Sequence, residues 1–89
     1  MSRTVLIVDD HDGFRAGARA LLEADGFQVL GEAADGAAAL AAVRRLRPEV
    51  VLLDVQLPGT DGFEVAERLA AEVRAYSAKE PYLISAPLR

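Results

Sequence analysis

The chain has 89 residues, 52% hydrophobic and 27% charged, with a net charge of −4 and no cysteine. That length suits one domain, and the composition is too apolar for a disordered chain. The acidic balance argues against general attraction to nucleic acid, the lack of cysteine excludes disulfides and thiolate metal sites, and no apolar run approaches the roughly 20 residues of a membrane span.

Thr4-Val5-Leu6-Ile7-Val8 is a continuous apolar, β-branched run, as expected of a strand covered on both faces. From Gly13 to Ala24 the apolar residues Phe14, Ala18, Leu21 and Leu22 recur at helical spacing, and Asp25-Gly26 ends that helix. Arg15 and Arg19 are expected on its solvated face. Phe27 to Leu30 reads as a second strand. Asp35 caps a second helix whose inner face carries Ala39, Leu40, Val43 and Leu46. Arg44, Arg45 and Arg47 occupy its last turns, where cations are favoured, and Pro48 follows the stop. Val50 to Leu53 is a third strand. Asp61 caps a third helix, Gly62 to about Arg74, with Phe63, Ala66, Leu69, Ala70 and Val73 inward. After Pro81, Tyr82 to Ser85 supplies a fourth strand.

Strands alternating with helices imply an α/β fold, a doubly wound parallel sheet joined by right-handed crossovers. In such sheets ligands bind beyond the carboxyl ends of the strands. Reactive residues should therefore follow strands directly. Asp9 and Asp10 follow the first strand, and Asp54 follows the third. Three carboxylates brought together repel one another unless a hard dication joins them. An all-oxygen donor set without Cys or His favours Mg²⁺ over zinc. A carboxylate is also a competent nucleophile toward phosphorus. The bland alternative is that the acidic pair forms a solvated turn and that Asp54 is an ordinary loop carboxylate.

Two segments carry a resemblance. Val5-Leu6-Ile7-Val8-Asp9-Asp10-His11 and Val51-Leu52-Leu53-Asp54-Val55-Gln56-Leu57-Pro58-Gly59-Thr60-Asp61-Gly62 resemble the receiver domains of two-component response regulators. The second follows the pattern D-x-x-[M/L]-P-x-x-[D/N]-G around the family's phosphorylated aspartate. The resemblance is clear from Arg3 to Ala71 and implies one receiver domain over 1–89 with the flavodoxin-like fold, stopping before a fifth strand. Asp9-Asp10-His11 with Gly31-Glu32-Ala33-Ala34-Asp35-Gly36 is similar to regulators that carry a LuxR-type helix-turn-helix output domain.

The resemblance makes Asp54 the phosphoacceptor. It makes Asp9, Asp10, Asp54 and the backbone carbonyl of Gln56 the Mg²⁺ ligands, with Pro58 and Gly59 shaping the adjacent loop. Ser85, 31 positions after Asp54, takes the place of a Ser or Thr that contacts the phosphoryl group. His11 is a loop residue, since the phosphodonor histidine belongs to the partner kinase. The implied partners are a sensor histidine kinase and, through an output domain absent from this chain, DNA. The implied setting is cytoplasmic, without a membrane, and the implied role is signalling, with at most self-catalysed phosphorylation and dephosphorylation.

The chain departs from the family after Ala71. An alternative alignment places Tyr82-Leu83 on the fifth strand with the fourth deleted. The family's essential lysine follows the fifth strand, whereas the single lysine, Lys79, precedes the last strand here. Two rival functions follow: a pseudo-receiver interaction module without phosphotransfer, and an aspartyl-nucleophile phosphohydrolase. The latter commonly needs D-x-D, and position 56 is Gln. With no final helix to share the face covered by the first helix, strand residues such as Val5, Ile7, Val51 or Leu53 should be partly exposed. A homodimer or strand-exchanged oligomer is expected to cover them.

Overall fold

A computed structural model describes residues 3–54, 62–76 and 82–86. Its elements are β1 (Thr4–Val8), α1 (Asp12–Ala24), β2 (Gln28–Ala33), α2 (Gly36–Leu46), β3 (Val50–Asp54), α3 (Gly62–Tyr76) and β4 (Tyr82–Ala86). All strand pairs are parallel and the sheet order is β2-β1-β3-β4. β4 pairs directly with β3, with Leu53 opposite Ser85. That is the place of a fourth strand in the doubly wound order.

β1 runs through the middle of the sheet, and Val5, Leu6, Ile7 and Val8 are all fully buried. The two faces divide by alternation. Leu6, Val8, Ala33, Val51 and Leu53 pack against α2 and α3 through Ala39, Ala42, Val43, Val65, Leu69 and Val73. Val5, Ile7, Val29 and Val50 pack against Ala18 of α1, with Phe14, Leu22, Phe27 and Leu52 partly buried around them. Val65, at i−4 from Leu69 and i−8 from Val73, is a further inward residue of α3 besides those expected from the sequence. Phe63, expected beside it, and Asp61, the expected cap, lie outside the described side chains.

The expected exposure of Val5, Ile7, Val51 and Leu53 is not found, since none is more than 1% exposed. α1 covers β1 on that face, with Ala18 packed in the core against Val5 and Ile7. Leu52 instead is partly buried and lines an apolar groove with Gly13, Phe14, Gly17 and Leu22. Leu21, beside that groove, is 75% exposed.

Local chemistry explains the boundaries. α1 ends in a Schellman arrangement: the Phe27 N–H donates to the Leu22 carbonyl at 3.0 Å and the Gly26 N–H to that of Glu23 at 3.1 Å. Gly26 has φ 93, which a side chain would strain. β2 starts one residue later and runs three residues further than Phe27–Leu30 because its pairing with β1 continues to Val8↔Ala33. Leu30 is passed over where the register shifts between Val5 and Leu6. Such a shift is invisible to a two-residue period. Gly31 follows at a tight spot, where a Cβ would meet Leu46 Cδ1 at 3.0 Å.

Asp35 caps α2 as expected, its side chain accepting the Ala38 N–H at 2.8 Å. Pro48 disfavours the helical conformation at the residue before it, and Arg47 turns left-handed at φ 52. The Arg47 guanidinium then lies over the Tyr76 ring, 5.9 Å from its centre. The Tyr76 hydroxyl donates to the Pro48 carbonyl, closing the end of α3 onto the turn after α2. One residue further on, the Glu49 N–H donates to Thr4 Oγ1 at 2.9 Å, which joins the starts of β1 and β3.

Leu69 and Leu21 make opposite demands on stability. Leu69 is fully buried between the sheet and α2, so Leu69→Ala is expected to cost about 2–5 kcal/mol. Leu21→Gln is expected to change stability by no more than about 0.5 kcal/mol. Urea unfolding of the two variants beside the unaltered chain checks both figures.

Candidate functional site at the carboxyl ends of β1 and β3

The parallel register places Val8 opposite Leu53. Asp9 follows the first and Asp54 the second, at the same edge of the sheet, where strands lie about 4.8 Å apart. Asp54 is the last residue of β3, and its backbone pairs with Ala86. Its side chain lies outside those described, as do Gln56, Pro58, Gly59, Lys79 and the side chain of Ser85. The backbone of Ser85 is in β4, one strand further along the same edge.

Asp9 is fully buried, the one charged residue so placed among the described residues. Its N–H still belongs to the sheet, donating to the Ala33 carbonyl at 3.0 Å. Its Oδ1 accepts the His11 N–H at 2.8 Å, an Asx turn that bends the chain out of β1 and into α1. Asp10, the next residue, is exposed. The acidic pair is therefore split by environment, one carboxylate in the protein and one in water. A buried carboxylate demands hydrogen bonds, a proton or a cation. The donor set is all oxygen, which fits a hard dication such as Mg²⁺. Among the described side chains no three carboxylate or imidazole groups gather as a metal site. Asp9 and Asp10 make two, and the third expected member is Asp54.

His11 is exposed at the N-cap of α1, and its side chain caps nothing. That agrees with a loop role.

Arg15 departs from the solvated face assigned to it. Its side chain is only 13% exposed. Nε donates to Glu32 Oε1 at 2.9 Å, Nη1 to the Asp9 carbonyl and Nη2 to the Asp12 carboxylate. Arg19 Nε reaches the other oxygen of Glu32 at 2.8 Å. Spacing shows that Arg15 and Arg19 share a side of α1. It does not show that β2 offers them a carboxylate, because Glu32 lies in the part of β2 beyond the strand expected from sequence. The Arg19 hydrogen bond, with help from Arg15, holds the Glu32 carboxyl below the usual glutamate range against the opposing effect of burial.

A doubly wound parallel sheet with an acidic pair at the carboxyl end of β1 defines the class of the protein as a flavodoxin-like α/β domain. Residues 5–79 match the response regulator receiver domain, a match that runs past Ala71. The chain belongs to the response regulator receiver domain family. It is 48% identical over 66 residues to the response regulator GacA of Pseudomonas viridiflava, covering 73% of this chain and 31% of that protein. It is 44% identical over 69 residues to the virulence factors putative positive transcription regulator BvgA of Bordetella pertussis, covering 78% of this chain and 33% of that protein. The crystal structure of a LuxR-family two-component response regulator from Aurantimonas matches with a TM-score of 0.77 at 34% identity, over 84% of this chain and 54% of that one. The chain thus spans about a third of the length of these curated relatives. No helix among the described residues is long and apolar enough to cross a membrane.

A depressed Glu32 pKa fixes the sign of a pH effect. The carboxylate bound by Arg19 and Arg15 adds stability that is present above the unfolded glutamate pKa and is lost as pH falls through the lower folded value. Stability should therefore drop more steeply below the normal glutamate range in the unaltered chain than in Glu32→Gln. Urea midpoints across an acid pH series measure the difference.

Proposed function

We propose that this chain is a phosphoacceptor, with Asp54 as the residue that takes a phosphoryl group from the phosphohistidine of a sensor histidine kinase. The observation that carries the reading is the register of Val8 opposite Leu53, which leaves Asp9 and Asp54 as successive residues of adjacent strands at one edge. A carboxylate oxygen of Asp54 attacks phosphorus, the nitrogen–phosphorus bond of the donor breaks, and the donor imidazole leaves with the electron pair and takes up a proton. Asp9, Asp10, Asp54 and the Gln56 backbone carbonyl would hold Mg²⁺. When bound, Mg²⁺ offsets negative charge on the phosphoryl oxygens. Asp9 brings a carboxylate already fixed by its Asx turn, and exposed Asp10 can turn toward a cation without leaving water. Ser85, on the strand beyond β3, is the residue for a further phosphoryl contact.

Downstream, the transcription-regulator name of the Bordetella relative supports an output in gene control. DNA would be contacted by an output domain rather than by this acidic domain, and the setting would be cytoplasmic. The family's fifth-strand lysine has no counterpart before position 89.

Incubation with acetyl phosphate and MgCl₂, followed by intact-mass analysis, tests the assignment. One phosphoryl group should appear, slowly, and Asp54→Ala should abolish it. Loss of one preorganised charge-stabilising group typically costs about 10²–10³ in rate, which is the expected deficit against a receiver with its lysine. Labelling that persists in Asp54→Ala would place the acceptor elsewhere.

A further inference from the structure

The peptide between Asp9 and Asp10 is gripped from outside the acidic pair. Arg15 Nη1 donates to its carbonyl oxygen, the main-chain oxygen of Asp9. Holding that oxygen restrains the orientation of the peptide plane that joins the two residues, and so narrows the backbone geometry from which both carboxylate side chains leave. The grip is itself braced. Arg15 spends its other two nitrogens on Asp12 in the first turn of α1 and on Glu32 in β2, 2.9 Å away. Glu32 is held in turn by Arg19 at 2.8 Å. A planar guanidinium can hold three elements in one geometry, whereas a lysine ammonium is a point charge on a flexible stem. The Arg15 side chain is itself only 13% exposed, and its bond to the Asp9 carbonyl is part-buried, whereas Asp12 is 93% exposed.

We propose that Arg15, braced by Glu32, is a positioning residue for the divalent cation at Asp9 and Asp10. The proposal rests on the phosphoacceptor reading above and adds a residue to that site. It also has a sign that charge alone would reverse. A cationic side chain beside two carboxylates repels Mg²⁺, so removing it only as a charge would tighten Mg²⁺ binding. Removing it as an anchor loosens the pair and weakens binding. Loss of groups that orient metal ligands typically costs about 10–100-fold in metal affinity.

The test is a MgCl₂ titration of the whole chain, followed by the amide signals of Asp9, Asp10 and His11, with thermal unfolding in parallel. Arg15→Gln should weaken the dissociation constant by about tenfold and leave a cooperative melt. Arg15→Lys, which keeps the charge, should fail to rescue it. Glu32→Gln, which leaves Arg15 in place with a weaker brace, should fall between. Unchanged or tighter Mg²⁺ binding in folded Arg15→Gln overturns the positioning role while the phosphoacceptor reading stands. If Arg15→Gln does not fold, full affinity in Arg15→Lys together with Glu32→Gln overturns it equally. Absence of Mg²⁺-dependent shifts at these amides in the unaltered chain overturns the phosphoacceptor reading, and this proposal with it.

Discussion

Everything at the carboxyl edge depends on β1 being covered on both faces. Val5 and Ile7 face α1, Leu6 and Val8 face α2 and α3, and all four are fully buried. Fully burying one such side chain contributes about 1.5–3 kcal/mol, so slipping the strand by one residue would exchange both sets at once. That cost pins the register against β3, and the pinned register sets where Asp9 falls. The residue after a fully buried strand inherits its shelter, and Asp9 is a carboxylate. The same packing that makes the fold stable thus creates the electrostatic demand that a cation or hydrogen bonds must answer.

The β1–α1 loop answers part of that demand with its own chain. The Asx turn from Asp9 to His11 satisfies one carboxylate oxygen and directs the chain into α1. Because α1 begins there, Arg15 comes round one helical turn later and reaches back to the Asp9 carbonyl. The three-residue knot of Asp9, Arg15 and Glu32 therefore links strand, loop, helix and neighbouring strand.

The two sheet faces are unequal in their cover. α2 and α3 share one, tied to each other by Arg44 and Glu72 at 2.8 Å and closed at the end by Tyr76 over Pro48. The exposed Arg44–Glu72 pair adds little to stability by itself. It does mark how closely the two helices run. Among the described residues α1 covers the opposite face, and the groove at Leu52 is where that cover ends.

Much of the fold was legible in the residues themselves because hydrophobic period and turn chemistry are local. Thr4–Val8 is a strand by composition, Gly26 stops α1 because of its positive φ, and Asp35 caps α2 through its own side chain. The acidic pair was legible for the same reason, being contiguous and next to a strand. Tertiary structure decided what depends on partners far along the chain. β2 runs to Ala33 because β1 pairs with it that far, across a register shift no period reveals. Val65 is buried because α2 and the sheet close over it. Arg15 left its expected solvated face because a carboxylate 17 positions away stands within hydrogen-bond reach. Local sequence determines which elements form and which acids end them. Only the packing of β2 against α1 brings Glu32 to Arg15, because attraction between charges depends on distance in space and not on separation along the chain.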